Sequence, residues 1–161
     1  MNVFRAMDDL SDIQDYALQN LEEIGLGSSR AAYVLSSRYV LKVAQNKEEA
    51  QISQDPTASK LVTRVVQAHP KHYWLVSELV NEEEFEELTG FSLEDFAEDL
   101  KSGQPVTRFA RFVLGVAKKT GLEMQDLIRI SSWGRSADGR LVLLDSGYTS
   151  ASKASYTRKA A

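Results

Sequence analysis

Two charged positions could do chemistry if other parts of the chain supplied them with partners. Asp145 closes the apolar run Arg140-Leu141-Val142-Leu143-Leu144-Asp145-Ser146-Gly147, which follows the turn pair Asp138-Gly139. Asp-Gly ahead of such a run signals a hairpin, and the glycine two residues after the carboxylate lets the chain swing away. Alone, the pattern is a strand and a turn; it becomes a site only where earlier segments reach Asp145. Lys42 lies within Val40-Leu41-Lys42-Val43-Ala44. A charge in an apolar run is costly unless it is paired or reaches water, and a lysine on an edge strand would satisfy the same pattern. Both histidines, His69 and His72, fall in a loop-like stretch with no acidic cluster nearby, and they read as exposed loop residues. The chain has no cysteine, which removes disulfides, thiolate metal sites and cysteine nucleophiles.

The elements that must position these residues follow from periodicity. Residues 8 to about 20 read as a short amphipathic helix through Leu10, Ile13, Ala17 and Leu21, covering the edge of a sheet. A glycine turn runs into a strand over 24–35, Ser36-Ser37 connects, and 38–44 is the returning strand. Helix is expected over 46–54, stopped by Asp55-Pro56, and strands over 61–67 and 73–80. From 81 the pattern turns helical: an acidic run with Phe85 and Leu88, a second acidic helix over 93–100, then a core helix over 106–120 ended by Gly121. The stretch 122–130 fits a helical turn or a loop equally well, and 148–161 is small, polar and mildly basic, a loosely held tail.

Composition sets the frame. With 161 residues, 43% apolar and 26% charged, the chain suits one domain or two small lobes sharing a cleft. A net charge of −4 argues against a broad footprint for nucleic acid or anionic membrane, and no apolar run approaches a membrane span. Residues 1–12 lack the order of a signal peptide, so a cytoplasmic location follows by elimination.

Taken in order, the glycine turn, strand pair, lysine in an apolar run, acidic helix, two strands, helices, hairpin and Asp-x-Gly resemble the protein-kinase-like fold over roughly 21–147. The Trp-Gly, Asp-Gly-Arg and Leu-Leu-Asp-x-Gly ending looks closest to small phage-encoded kinase-like proteins. The resemblance implies an α+β, two-lobed minimal fold: an N-lobe over 1–80 with an antiparallel sheet and one helix, a reduced helical C-lobe over 81–147 with a terminal hairpin, and the tail. It also implies ATP and Mg²⁺ as cofactors. Gly25, Gly27 and Ser28 would form the phosphate loop, where backbone N–H groups freed by glycines cradle oxygens. Lys42 would contact the phosphates, held by Glu49, with Glu48 as second choice. Glu78-Leu79-Val80 would be the hinge whose backbone meets an adenine. Asp145 would hold Mg²⁺, and Asp126 would stand where a catalytic base is expected.

The departures bear on activity. Arg30 replaces the third glycine of the loop, and no His-Arg-Asp triplet precedes Asp126, which could equally be a surface acid on a helix. Ser131 or Ser132 stands in place of the Asn that would be a second metal ligand, and a hydroxyl is a poorer Mg²⁺ ligand than an amide carbonyl. With only a short segment after Gly147, the chain is expected to do without an ordinary activation segment and peptide-docking helices. Three functions are open on these grounds: a catalytically degraded, pseudokinase-type domain that works by binding another protein; an active minimal phosphotransferase; and an unrelated α+β interaction domain whose lysine and acids are separate surface charges.

Overall fold

The computed structural model describes residues 3–26, 31–43 and 47–144. In chain order the elements are α1 (Leu10–Asn20), β1 (Glu22–Leu26), β2 (Ala31–Ser36), β3 (Tyr39–Val43), α2 (Glu48–Gln54), β4 (Val65–Ala68) and β5 (Trp74–Glu78). There follow β6 (Asn81–Glu82), α3 (Phe85–Thr89), α4 (Leu93–Lys101), α5 (Arg108–Thr120), α6 (Met124–Leu127), β7 (Trp133–Arg135) and β8 (Leu141–Leu143). A five-stranded antiparallel sheet runs β1-β2-β3-β5-β4, and a small sheet runs β6-β7-β8. The architecture is α+β. No helix among the described residues is long and apolar enough to cross a membrane.

Side chains alternate across the pleat of β3. Leu41 and Val43 join Tyr33, Trp74 and Val76 in a core closed by Phe4, Ile13 and Ala17. Asp9 starts α1 by accepting the Ser11 N–H at 2.8 Å, which satisfies a donor the first helical turn leaves open. Helix α1 therefore covers a face of the sheet, through Ile13 and Ala17, where the sequence pattern suggested an edge. Lys42 points to the other face. It stands on an interior strand, between β2 and β5, so the edge-strand explanation of a tolerated lysine does not apply.

The second core gathers α4, α5 and the small sheet, with Phe85, Phe96 and Trp133 at mutual ring distances of 4.7 to 6.1 Å. It also takes in Ile52, Ala58, Leu61 and Val62, so the end of α2 and the connector after it are packed by the helical half of the chain. Thr107 caps α5 by accepting the Ala110 N–H, and Asp99 holds the preceding turn through the N–H groups of Val106 and Thr107. Gly121, at φ 78°, ends the helix in the left-handed conformation that glycine adopts without strain.

Several local expectations are corrected. The strand expected over 61–67 is only β4, because Leu61 and Val62 turn inward and Val62 bridges in parallel to Leu143. The helical stretch expected from 81 begins as β6, since Asn81 and Glu82 pair with Arg135 and Gly134. His69 is not an exposed loop residue: it is buried, stacked on Tyr73 at 5.0 Å, and its Nδ1 accepts the Lys71 N–H at 3.1 Å. The ring thereby closes the β4–β5 turn, in which His72 takes a positive φ of 57°.

Two glycines give opposite expectations. A Cβ at Gly134 would collide with the Asn81 carbonyl oxygen and come within 2.8 Å of Val80 Cγ1, whereas one at exposed Gly115 on α5 meets nothing. Gly134→Ala should destabilise the protein by about 1–3 kcal/mol through forced backbone movement. Gly115→Ala should stabilise it by about 0.5–1 kcal/mol through helix propensity. Urea midpoints of the two variants, measured side by side, check both signs.

Candidate functional site

The site begins with a buried ion pair. Lys42 Nζ donates to Glu49 Oε1 at 2.6 Å, with 10% of the lysine side chain and none of the glutamate exposed. Strand β3 fixes the lysine by pairing on both sides, Lys42 opposite Ala32 and Leu75. Helix α2 fixes the glutamate in its first turn, where a carboxylate also suits the helix dipole. Of the two acids offered by the sequence, Glu49 is the partner.

Other groups complete the arrangement. Lys42 Nζ also donates to the Leu144 carbonyl at 3.2 Å, the oxygen of the peptide that leads into Asp145. The Leu144 N–H donates to the Ser132 carbonyl at 2.8 Å, so the two stretches proposed to carry metal ligands run side by side at residues 132 and 144. Thr63, buried, was not singled out in the sequence. Its hydroxyl lies 3.4 Å from the same Glu49 oxygen, and its N–H donates to the Leu143 carbonyl at 3.3 Å. Because the Leu143 N–H donates to the Leu61 carbonyl at 2.7 Å, the connector between α2 and β4 is stitched to β8 on both sides of Val62.

The stretch that the resemblance made the hinge, Glu78-Leu79-Val80, is hydrogen-bonded to other segments. The Glu78 N–H donates to the Arg64 carbonyl at 2.9 Å and the Leu79 N–H to the Arg38 carbonyl at 2.8 Å. The Glu78 carboxylate accepts from the Arg64 N–H at 2.7 Å and from Arg140 Nη2 at 2.6 Å. It is thus engaged structurally, and Arg140 is the second residue that the local sequence did not reveal. Val80 packs beside Gly134, whose missing side chain admits it.

Asp126 lies in α6 and pairs with Arg129 one turn on, Nη2 to Oδ1 at 3.3 Å. Gly25 is placed only as backbone in β1, opposite Ala32 after an irregularity in the ladder. Gly27, Ser28 and Asp145 lie outside the described residues. Among the described residues, no cluster of three or more His, Cys, Asp or Glu forms a metal site. The arrangement presents an ammonium, oriented by a buried carboxylate, at the junction of the large sheet, α2 and β8. That chemistry fits an anion such as phosphate, and Lys42 is the residue that would hold it.

The electrostatics around Asp138 give a pH expectation. The Ser136 hydroxyl, which donates to Asp138, and then Arg140 and Arg64 lower the Asp138 carboxyl to about 2, against some opposing desolvation. A folded-state value below the unfolded value of about 3.9 means stabilisation that is complete above the unfolded value and lost as pH falls towards the folded one. Melting temperature between pH 6 and pH 2 should therefore decline below about pH 4, and Asp138→Asn should flatten that limb.

The ion pair yields a mutational cycle. Lys42→Met leaves Glu49 buried without its cation and should cost about 3–5 kcal/mol. Adding Glu49→Leu should recover most of that loss, because replacing both charges by apolar groups removes the desolvation cost. Denaturant unfolding of the two singles and the double measures the coupling, and strict additivity would contradict it.

No protein-family model matches the chain, and no curated protein matches it. Among solved structures it is similar to the aminoglycoside phosphotransferase APH(2")-IIa in its gentamicin complex, at 13% identity and a TM-score of 0.43, over 88% of this chain and 71% of that one. So remote a likeness concerns the path of the backbone and not the chemistry at any residue.

Proposed function

We propose that this chain is a reduced kinase-like domain that takes up a nucleotide at Lys42 and acts by engaging another protein more than by transferring phosphate. The observation that carries the reading is the buried 2.6 Å contact between Lys42 and Glu49, with the Leu144 carbonyl on the same ammonium. Kinase-like sites hold their phosphate-binding lysine through a carboxylate on a helix.

Loss of catalytic power is supported by Asp126, whose carboxylate is engaged by Arg129, and by Ser132 at the place of a metal-binding amide. ATP is the expected ligand, with Mg²⁺ held by Asp145. Bound there, the ion would neutralise phosphate charge, and Lys42 would orient the same phosphates. The partner protein is unidentified; neither nucleic acid nor a membrane is proposed. A minimal phosphotransferase is the second reading. The adjacency of residues 132 and 144 favours it, because phosphoryl transfer depends mainly on positioning and charge stabilisation.

A thermal shift titration with Mg·ATP tests nucleotide binding. At one hundred times Kd the folded state gains about 2.7 kcal/mol, or about 5–10 °C for a domain of this size. Lys42→Met and Asp145→Asn should each lose the shift when compared with their own ligand-free midpoint. No shift of the unaltered protein at millimolar nucleotide would overturn the nucleotide reading. Transfer of labelled phosphate to itself or to a lysate would replace the binding reading by the phosphotransferase one.

A further inference from the structure

We propose that Arg140 is a positioning residue for the Lys42 site: from behind the hinge, its guanidinium holds β8 and the α2–β4 connector so that the Leu144 carbonyl stays on the Lys42 ammonium. The proposal deepens the nucleotide reading by assigning it a remote support, although the contacts themselves stand without any ligand.

Arg140 spreads its donors over three separate pieces of chain. Nε donates to both oxygens of Asp138 at 3.0 and 3.1 Å, within its own turn. Nη1 reaches the Ser59 and Val62 carbonyls at 3.3 and 3.5 Å, in the connector. Nη2 donates to Glu78 at 2.6 Å, on the hinge. A planar fork serves such divergent acceptors in a way that a lysine, with a single nitrogen, does not. Burial alone would lower the guanidinium's proton affinity, but the hydrogen bonds and charges of Glu78 and Asp138 raise it above its ordinary value.

The route from Arg140 to Lys42 is short and continuous. Arg140 enters β8, and Leu143 at the far end of that strand exchanges backbone hydrogen bonds with Leu61 and Thr63. The next residue, Leu144, accepts from Lys42, while Thr63 touches Glu49, the other partner of Lys42. The connector is therefore clamped to β8 at one end by Arg140 and at the other by Leu143. Releasing the Arg140 end frees the strand whose last carbonyl caps the ammonium.

The test needs no nucleotide. Acetic anhydride labelling of the intact protein, read by mass spectrometry well below the melting temperature, compares Lys42 with exposed Lys101. In Arg140→Met the relative labelling of Lys42 should rise roughly fivefold through local opening, while Lys101 stays unchanged. Arg140→Lys should restore little of the protection, and Glu78→Gln, a milder variant that serves if Arg140→Met does not fold, should raise labelling in the same direction by less. Leu100→Ala, a core change in α4 that lowers stability without touching the clamp, should leave Lys42 protected. Unchanged labelling in the folded Arg140 and Glu78 variants would overturn the proposal, as would an equal rise in Leu100→Ala. If the unaltered protein shows no Mg·ATP shift, the nucleotide reading falls, yet the labelling still decides the role of Arg140.

Discussion

The structure depends on a lysine and a glutamate that share a place where neither would survive alone. Removing two charges from water costs several kcal/mol per ion, and a buried pair recovers that only with close geometry and additional hydrogen bonds. Here the geometry is 2.6 Å, with the Leu144 carbonyl on the ammonium and the Thr63 hydroxyl near the carboxylate. Apolar residues of similar volume would stabilise such a position at least as well, so the pair is poorly explained by stability. It is better explained by what an oriented ammonium can bind.

The pair also records how the two halves of the chain meet. Lys42 is fixed by the large sheet, whose outer face is closed by α1. Glu49 is fixed by α2, whose later turns and following connector are buried with Phe85, Phe96, Trp133 and Leu143. Any shift of the helical core relative to the sheet would move one member of the pair against the other. At 2.6 Å there is little room for that. Arg140, Asp138 and Glu78 oppose the same movement from the far side of the connector, and the site is held between two electrostatic contacts rather than by one.

What the sequence made legible was local. The 3.6-residue pattern of α5, its glycine stop, the Asp-Gly hairpin and the cost of Lys42 in an apolar run all lie within short windows, and each survives in the folded chain. Glu49 was named through the kinase-like resemblance, with Glu48 as second choice, and it is the acid that contacts Lys42. What was hidden is long-range. Thr63 meets Leu143 across a connector whose strand-like alternation pointed the wrong way, and Arg140 meets Glu78 over a separation of 62 residues. His69 was misread because loop histidines are usually exposed, whereas this one stacks on the tyrosine of its own turn. No local periodicity encodes such contacts, since they exist only once the sheet and the helices have docked.

These facts bear on how much of a phosphotransferase a chain of this kind can be. Its part in phosphoryl transfer would consist of holding charges where the phosphates and the attacking group need them. The proposed phosphate side of that requirement would rest on Lys42, Glu49, Thr63 and the Leu144 carbonyl, which contact one another directly. On the side of the attacking group, Asp126 occupies a helix of four residues and its Oδ1 lies 3.3 Å from Arg129 Nη2. In the reading proposed above, a nucleotide held at Lys42 would serve to fix the domain's own shape for a partner. The rigidity of the clamp around Arg140 then has a direct use, because a recognition surface benefits from being preorganised whether or not any phosphate is transferred.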